Sequence, residues 1–181
     1  YCLPNTSASI PERQRAVRVI EKKLQLAKRA AKILRFVPFL EAMFVCNTVA
    51  AGTATPDSDI DVFIVTRHGR VWTVRILATL LLSLCRLRRH GQRITNRICL
   101  SFYATDHALD FRTIRVAEPD IYLAYWVHQI IPIYDPNNVC KTIQEKNDWT
   151  NAYLPHEQKK YSLITRYSVR DSRISRLIKK F

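Results

Sequence analysis

Two aspartates in alternate positions, directly ahead of an apolar run, constrain this chain more than any other feature. The stretch is Ser58-Asp59-Ile60-Asp61, and residues 62–65 after it are all apolar. In a strand, successive side chains alternate faces, so Asp59 and Asp61 project together while Ile60 and Val62 turn the other way, toward a core. Two carboxylates held side by side repel, and without a cation between them one tends to take up a proton. A divalent metal removes the conflict. Mg²⁺ is commonly held by one or two carboxylates together with substrate phosphates.

Upstream, residues 42–45 read as a short buried strand, with Asn47-Thr48 at its end. Ala50 and Gly52 follow, small residues where a backbone approaches a ligand closely. The order is strand, small polar turn, short helical start, loop, then the Asp-x-Asp strand. It sets backbone N–H groups and a hydroxyl opposite an acid pair. Residues 47–65 resemble the nucleotidyltransferase superfamily related to DNA polymerase beta, in which Gly-Ser precedes Asp-x-Asp by a short spacer. Asn47-Thr48 stand at Gly-Ser, with asparagine where the family usually has glycine.

The order of elements around this stretch is similar to the minimal nucleotidyltransferase branch. The resemblance implies an α+β fold, a mixed β-sheet with helices packed on one side. It implies that Asp59 and Asp61 hold Mg²⁺ (or Mn²⁺) as catalytic residues, and that Asn47 and Thr48, with Ser58, contact an NTP. An acceptor hydroxyl would attack the α-phosphorus and release pyrophosphate. The family carries a third carboxylate on a later strand. Here residues 98–104 alternate and are β-rich, and Cys99, Ser101 and Tyr103 alternate with Ile98, Leu100 and Phe102. None is acidic. Ser101 stands as the possible third-acid position, and Asp106 and Asp110 lie just beyond the strand. A two-metal site without that acid loses a ligand for its catalytic metal.

With 181 residues and a formal net charge of +14 at pH 7, the chain suits an anionic partner, RNA or lipid, or else a solvated basic surface. Ser9, Pro11 and Glu12 make a helix start with a capping box. Val17, Ile20, Leu24, Ala27, Ala31 and Leu34 then mark an apolar face. Arg13, Arg15, Arg18, Lys22, Lys23, Lys28, Arg29, Lys32 and Arg35 mark a basic one, and Pro38 ends the helix. A second cluster, Arg86, Arg88, Arg89, His90, Arg93 and Arg97, lies near the acid pair. Arg93 and Arg97 are candidate phosphate contacts, or the cluster is an ordinary solvated loop.

Residues 72–87 read as a largely buried helix, and its apolar run, between Arg75 and Arg86, is too short to cross a bilayer. Asp120 starts a further helix. Tyr125 and Trp126 on it either pack in the core or stack on a base, and His128 is structural or exposed. A short last strand at 132–136 and a loop-rich region anchored by Trp149 follow. Five cysteines without C-x-x-C spacing indicate neither a disulfide framework nor a zinc site and suit a reducing cytoplasm. The chain opens on Tyr1, so its start is expected to be missing or processed.

The domain reading is a disordered lead at 1–9, a nucleotidyltransferase-like domain at 10–155 and a basic amphipathic helix at 156–181. The activity expected is nucleotidyl transfer from an NTP. The alternatives are a catalytically silent nucleotide- or nucleic-acid-binding module, and an antitoxin-like protein partner acting through its terminal helices.

Overall fold

The computed structural model describes residues 9–154, 168–172 and 175. The elements are α1 (Ser9–Leu34), β1 (Leu40–Val45), α2 (Asn47–Ala51), β2 (Ile60–Thr66), α3 (Val71–Leu84), β3 (Ile98–Thr105), α4 (Ile121–Gln129), β4 (Ile131–Tyr134) and α5 (Val139–Lys146). One mixed sheet runs in the order β3-β2-β1-β4. β1 is antiparallel to β2 and β4, and β2 is parallel to β3. The expected α+β fold is present. The lead before residue 9 and most of the expected C-terminal helix at 156–181 lie outside the described residues.

The period-2 pattern of the strands builds a core on each side of the sheet. On one face, Met43, Val45, Ile60, Val62 and Ile64 meet Leu24, Ala27, Ala31 and Leu34 of α1 and Val74, Ala78 and Leu82 of α3. On the other, Phe44, Phe63 and Val65 meet Val127 of α4, Ile143 of α5 and Phe111. Phe63 is fully buried and stacks on Phe44 at 5.5 Å, the kind of side chain whose truncation costs about 3–5 kcal/mol. Among the described residues, no helix is long and apolar enough to cross a membrane.

Three features differ from the sequence reading. α3 is not largely buried. Val74, Ala78 and Leu82 face the sheet, while Trp72, Ile76, Leu80 and Leu84, at the same four-residue spacing on the outer side, are exposed, because a helix on a sheet covers only one of its stripes. Lys23 is not on the solvated basic face of α1: it is completely buried. And α5 occupies residues 139–146, where the sequence reading has no element. Asp135 starts it, its carboxylate accepting from the backbone N–H of Val139 at 2.7 Å and Cys140 at 3.0 Å.

The described C-terminal residues lie against the domain. The Val169 N–H donates to the Ile133 carbonyl at 2.6 Å. The Tyr134 hydroxyl donates to Asp171 at 2.7 Å.

Candidate metal and nucleotide site

Asp61 is the second residue of β2 and pairs with Cys99 on β3; Asp59 sits just ahead of the strand. Because the pleat sends alternate side chains the same way, one carboxylate oxygen of each aspartate and the Cys99 Sγ come within 4.8 Å of one another. The Ser101 hydroxyl donates to Asp61 Oδ1 at 2.5 Å. Ser101 reaches it through a β-bulge: Val62 pairs with Leu100 but Phe63 pairs with Phe102, leaving Ser101 as the extra residue. The bulge corrects the simple alternation. Phe102 turns to the Phe63 side, 5.4 Å between ring centres, and Tyr103 packs with the α1 and α3 core. An extra residue re-aims the side chains beyond it.

The segment after α3 delivers a guanidinium to this cluster. The Arg89 N–H donates to the Ile98 carbonyl, and the Ile98 N–H to the Leu87 carbonyl, at 2.9 and 2.8 Å. That backbone pairing sets Arg89 Nη1 2.6 Å from Asp59 Oδ2 and 3.9 Å from Cys99 Sγ. The hydrogen bond to Asp59 and its charge hold the guanidinium above its usual pKa, so it stays cationic.

A buried cation supports the acid pair from behind. Lys23 Nζ donates to the Ser58 carbonyl at 2.6 Å, the Asn96 Oδ1 at 3.1 Å and the Pro56 carbonyl at 3.3 Å. These bonds tie α1 to the loop that enters β2. Burial lowers the ammonium's pKa, and the charge of Asp59 acts against that.

Across from the acids, α2 begins at Asn47 with φ 54°. Glycine takes this left-handed conformation freely, and asparagine is one of the few other residues that tolerates it. The Asn47 Oδ1 accepts from the Trp126 indole N–H at 3.1 Å, so one side chain joins α2 to α4. Beneath it the buried Cys46 thiol is pushed up to about 12, first by burial and then by Asp61 and Cys99. α4 is fixed by Asp120, whose carboxylate accepts from Leu123 N–H at 2.9 Å and Val116 N–H at 3.1 Å. Those bonds hold it below the usual carboxylate range.

Two adjoining hollows, about 330 and 310 Å³, share Asn47, Tyr122 and Trp126 as lining. Thr48, exposed at the start of α2, lines the first, and Ser101 lines the second.

The remaining expected residues make contacts of their own. The Ser58 hydroxyl closes its own turn onto the Thr55 carbonyl at 2.9 Å. The Arg97 guanidinium donates to the Arg86 carbonyl, and Arg93 exchanges backbone bonds with His90. Asp106 accepts from the His68 N–H at 2.9 Å, beside the Thr66 end of β2 and so at the far end of the strand from Asp61. Asp110 accepts from the Arg112 N–H at 3.0 Å. Neither joins the acid pair, as Cys99 does.

The sequence reading also has no role for Cys99, and it does not single out Arg89, whose guanidinium reaches Asp59, from its basic cluster. A signal for Cys99 exists in its place two residues before Ser101. Nothing in the sequence separates Arg89 from its basic neighbours. His128, expected to be structural or exposed, has its Nε2 2.8 Å from the Thr150 hydroxyl.

Comparison of the chain with protein-family models, with curated proteins and with solved structures finds no match. What stands is a compact α+β domain, a mixed sheet and an Asp/Asp/Cys cluster consistent with a nucleotidyltransferase-like arrangement.

Proposed function

We propose that the chain is a metal-dependent nucleotidyltransferase that moves a nucleotidyl group from an NTP to an acceptor hydroxyl. The observation that carries this reading is the convergence of Asp59, Asp61 and Cys99 ligand atoms within 4.8 Å at the head of β2. Two hard oxygens and a sulfur, each with free electron pairs, suit a divalent cation. Asp59 and Asp61 would hold it, with Cys99 beside them. When bound, such a cation neutralises phosphate charge and polarises a phosphoryl oxygen.

The chain's own groups do the positioning. The exposed Thr48 hydroxyl at the start of α2 contacts phosphate oxygens, with Asn47 beside it. Arg89, once parted from Asp59, offers its guanidinium to the polyphosphate. Ser101 and Lys23 orient the acids, Ser101 directly and Lys23 through the loop backbone. An acceptor oxygen attacks the α-phosphorus, the bond to the leaving pyrophosphate breaks, and the acceptor proton passes to solvent or to a carboxylate. Phosphoryl transfer depends mainly on positioning and charge stabilisation.

A second reading is favoured by one specific pair. With Cys99 in place of a third carboxylate and Arg89 on Asp59, a module that binds nucleotide or RNA without turnover also fits. RNA as acceptor or ligand agrees with the net charge of +14, and a protein partner remains an alternative. One experiment separates the readings. α-Labelled NTPs with Mg²⁺ or Mn²⁺ and cell extract as acceptor are incubated beside Asp61→Asn. Label in one macromolecular fraction, absent from the variant, supports the transferase. Nucleotide binding without transfer supports the silent module.

A further inference from the structure

The helix that bonds to Asn47 carries, with its neighbours, exposed aromatic and aliphatic surface. Tyr122 is 74 % exposed and Tyr125 44 %, and Ile114 and Phe102 are exposed beside them. Trp126, on the same helix, is spent on the core. Its ring meets those of Phe63, Phe102 and Phe111 at 5.3, 5.4 and 5.9 Å, and its N–H is bound by Asn47. It lines both hollows together with Tyr122, which is exposed. Side chains this large, grouped and left in water beside a concavity, mark a ligand surface more often than chance.

The chemistry of the hollows narrows the ligand. Among the described residues, those lining them are aromatic, aliphatic, hydroxyl, thiol or amide, and none is charged. The hollows therefore offer a phosphate the polar groups of Asn47 and Thr48 on the α2 side, and no partner of opposite charge. They are continuous with a site that suits phosphates: Ser101 lines one of them and donates to Asp61. A ligand with its anionic end at the acid pair has an uncharged, ring-walled space next to it. Each hollow, at about 310–330 Å³, has room for a heterocycle.

We infer that this cleft holds the nucleobase of the bound triphosphate, stacked on Tyr122, while Asp59 and Asp61 handle the phosphates. The inference rests on the nucleotide reading of the acid pair, and it divides the site into a charge-recognising half and a ring-recognising half. Stacking makes the second half independent of metal and of charge.

The test compares inorganic tripolyphosphate with ATP and UTP, each with Mn²⁺, by calorimetry on the full chain. Wild type is expected to bind both nucleotides roughly fivefold to a hundredfold tighter than tripolyphosphate, the range that stacking one base contributes. Tyr122→Ala should lose most of that advantage while its tripolyphosphate affinity stays the same. Tyr122→Phe, which keeps the ring, should retain it. Equal weakening of all three ligands in Tyr122→Ala, an unchanged nucleotide affinity, or loss of the advantage in Tyr122→Phe would overturn the inference. If tripolyphosphate binds wild type and the nucleotides bind no tighter, the inference alone fails. If none of the three binds, the acid-pair reading fails and takes the inference with it.

Discussion

Arg89 Nη1 lies 2.6 Å from Asp59 Oδ2, so the acid pair already has a cation of its own. A metal at Asp59 must compete with that guanidinium, which is partly exposed. Arg89→Gln is therefore expected to tighten Mn²⁺ binding about two- to fivefold, the scale of a partly exposed ion pair. Calorimetry reads it directly. Weaker binding would mean that Arg89 organises the site and does not compete for it.

Cys99 sets a sulfur beside the two carboxylates. Thiolates favour Zn²⁺, Co²⁺ and Cd²⁺ over Mg²⁺. Cys99→Ser should weaken Co²⁺ binding about tenfold or more and leave Mg²⁺ binding nearly as it was. The Co²⁺ complex of wild type should show a sulfur-to-cobalt charge-transfer band that the variant lacks. An identical spectrum in both would remove Cys99 from the ligand set.

Asn47 satisfies two demands at once, a left-handed backbone at φ 54° and an acceptor for Trp126. Asn47→Gly loses only the hydrogen bond and should cost about 1 kcal/mol. Asn47→Ala loses the bond and strains the backbone as well, for about 2–3 kcal/mol. Urea denaturation of both variants tests the order, and alanine proving the milder change would contradict it.

Lys23 is completely buried and donates to three oxygens around the loop before Asp59. Lys23→Met takes the ammonium donor from all three, leaving the Ser58 carbonyl only the Asn96 N–H. A loss of about 2–4 kcal/mol is expected, together with faster hydrogen exchange at residues 56–60. A variant as stable as wild type would place Lys23 back among the solvated cations of α1.

Asp135 gives a pH signature. Burial raises its pKa above 3.8, against the pull of the Cys140 and Val139 N–H bonds. A carboxyl raised in the folded state binds its proton more tightly there than when unfolded. Its stabilising contribution is thus fully present below pH 3.8 and is lost as pH rises through the folded-state value. The stability of wild type relative to Asp135→Asn should fall across that window. A difference that is flat or rises with pH would contradict the assignment.

The candidate site was legible in part because its main signal is local. Asp59 and Asp61 share a face by the period-2 geometry of any strand, and the apolar run after them marks that strand without reference to the rest of the chain. The Asp120 cap of α4 is local for the same reason, since a cap acts within a few residues. Asn47 takes a positive φ of 54°, a conformation that glycine adopts freely and asparagine tolerates.

Tertiary structure decided what depends on partners distant in sequence. One inserted residue at Ser101 reversed the facing of Phe102 and Tyr103, an effect set by pairing with β2 and invisible in alternation alone. Lys23 counts as one more cation on a basic helix until the loop at 56–58 and Asn96 surround its ammonium group. Arg89 is one of several arginines until its backbone pairs with Ile98. Cys99 joins the Asp59–Asp61 cluster only because β3 lies parallel to β2 with Cys99 opposite Asp61. The sequence by itself determined the acid pair and the class of fold. Packing determined which thiol, which lysine and which arginine stand beside it, because strand register and loop closure join residues that no local pattern connects.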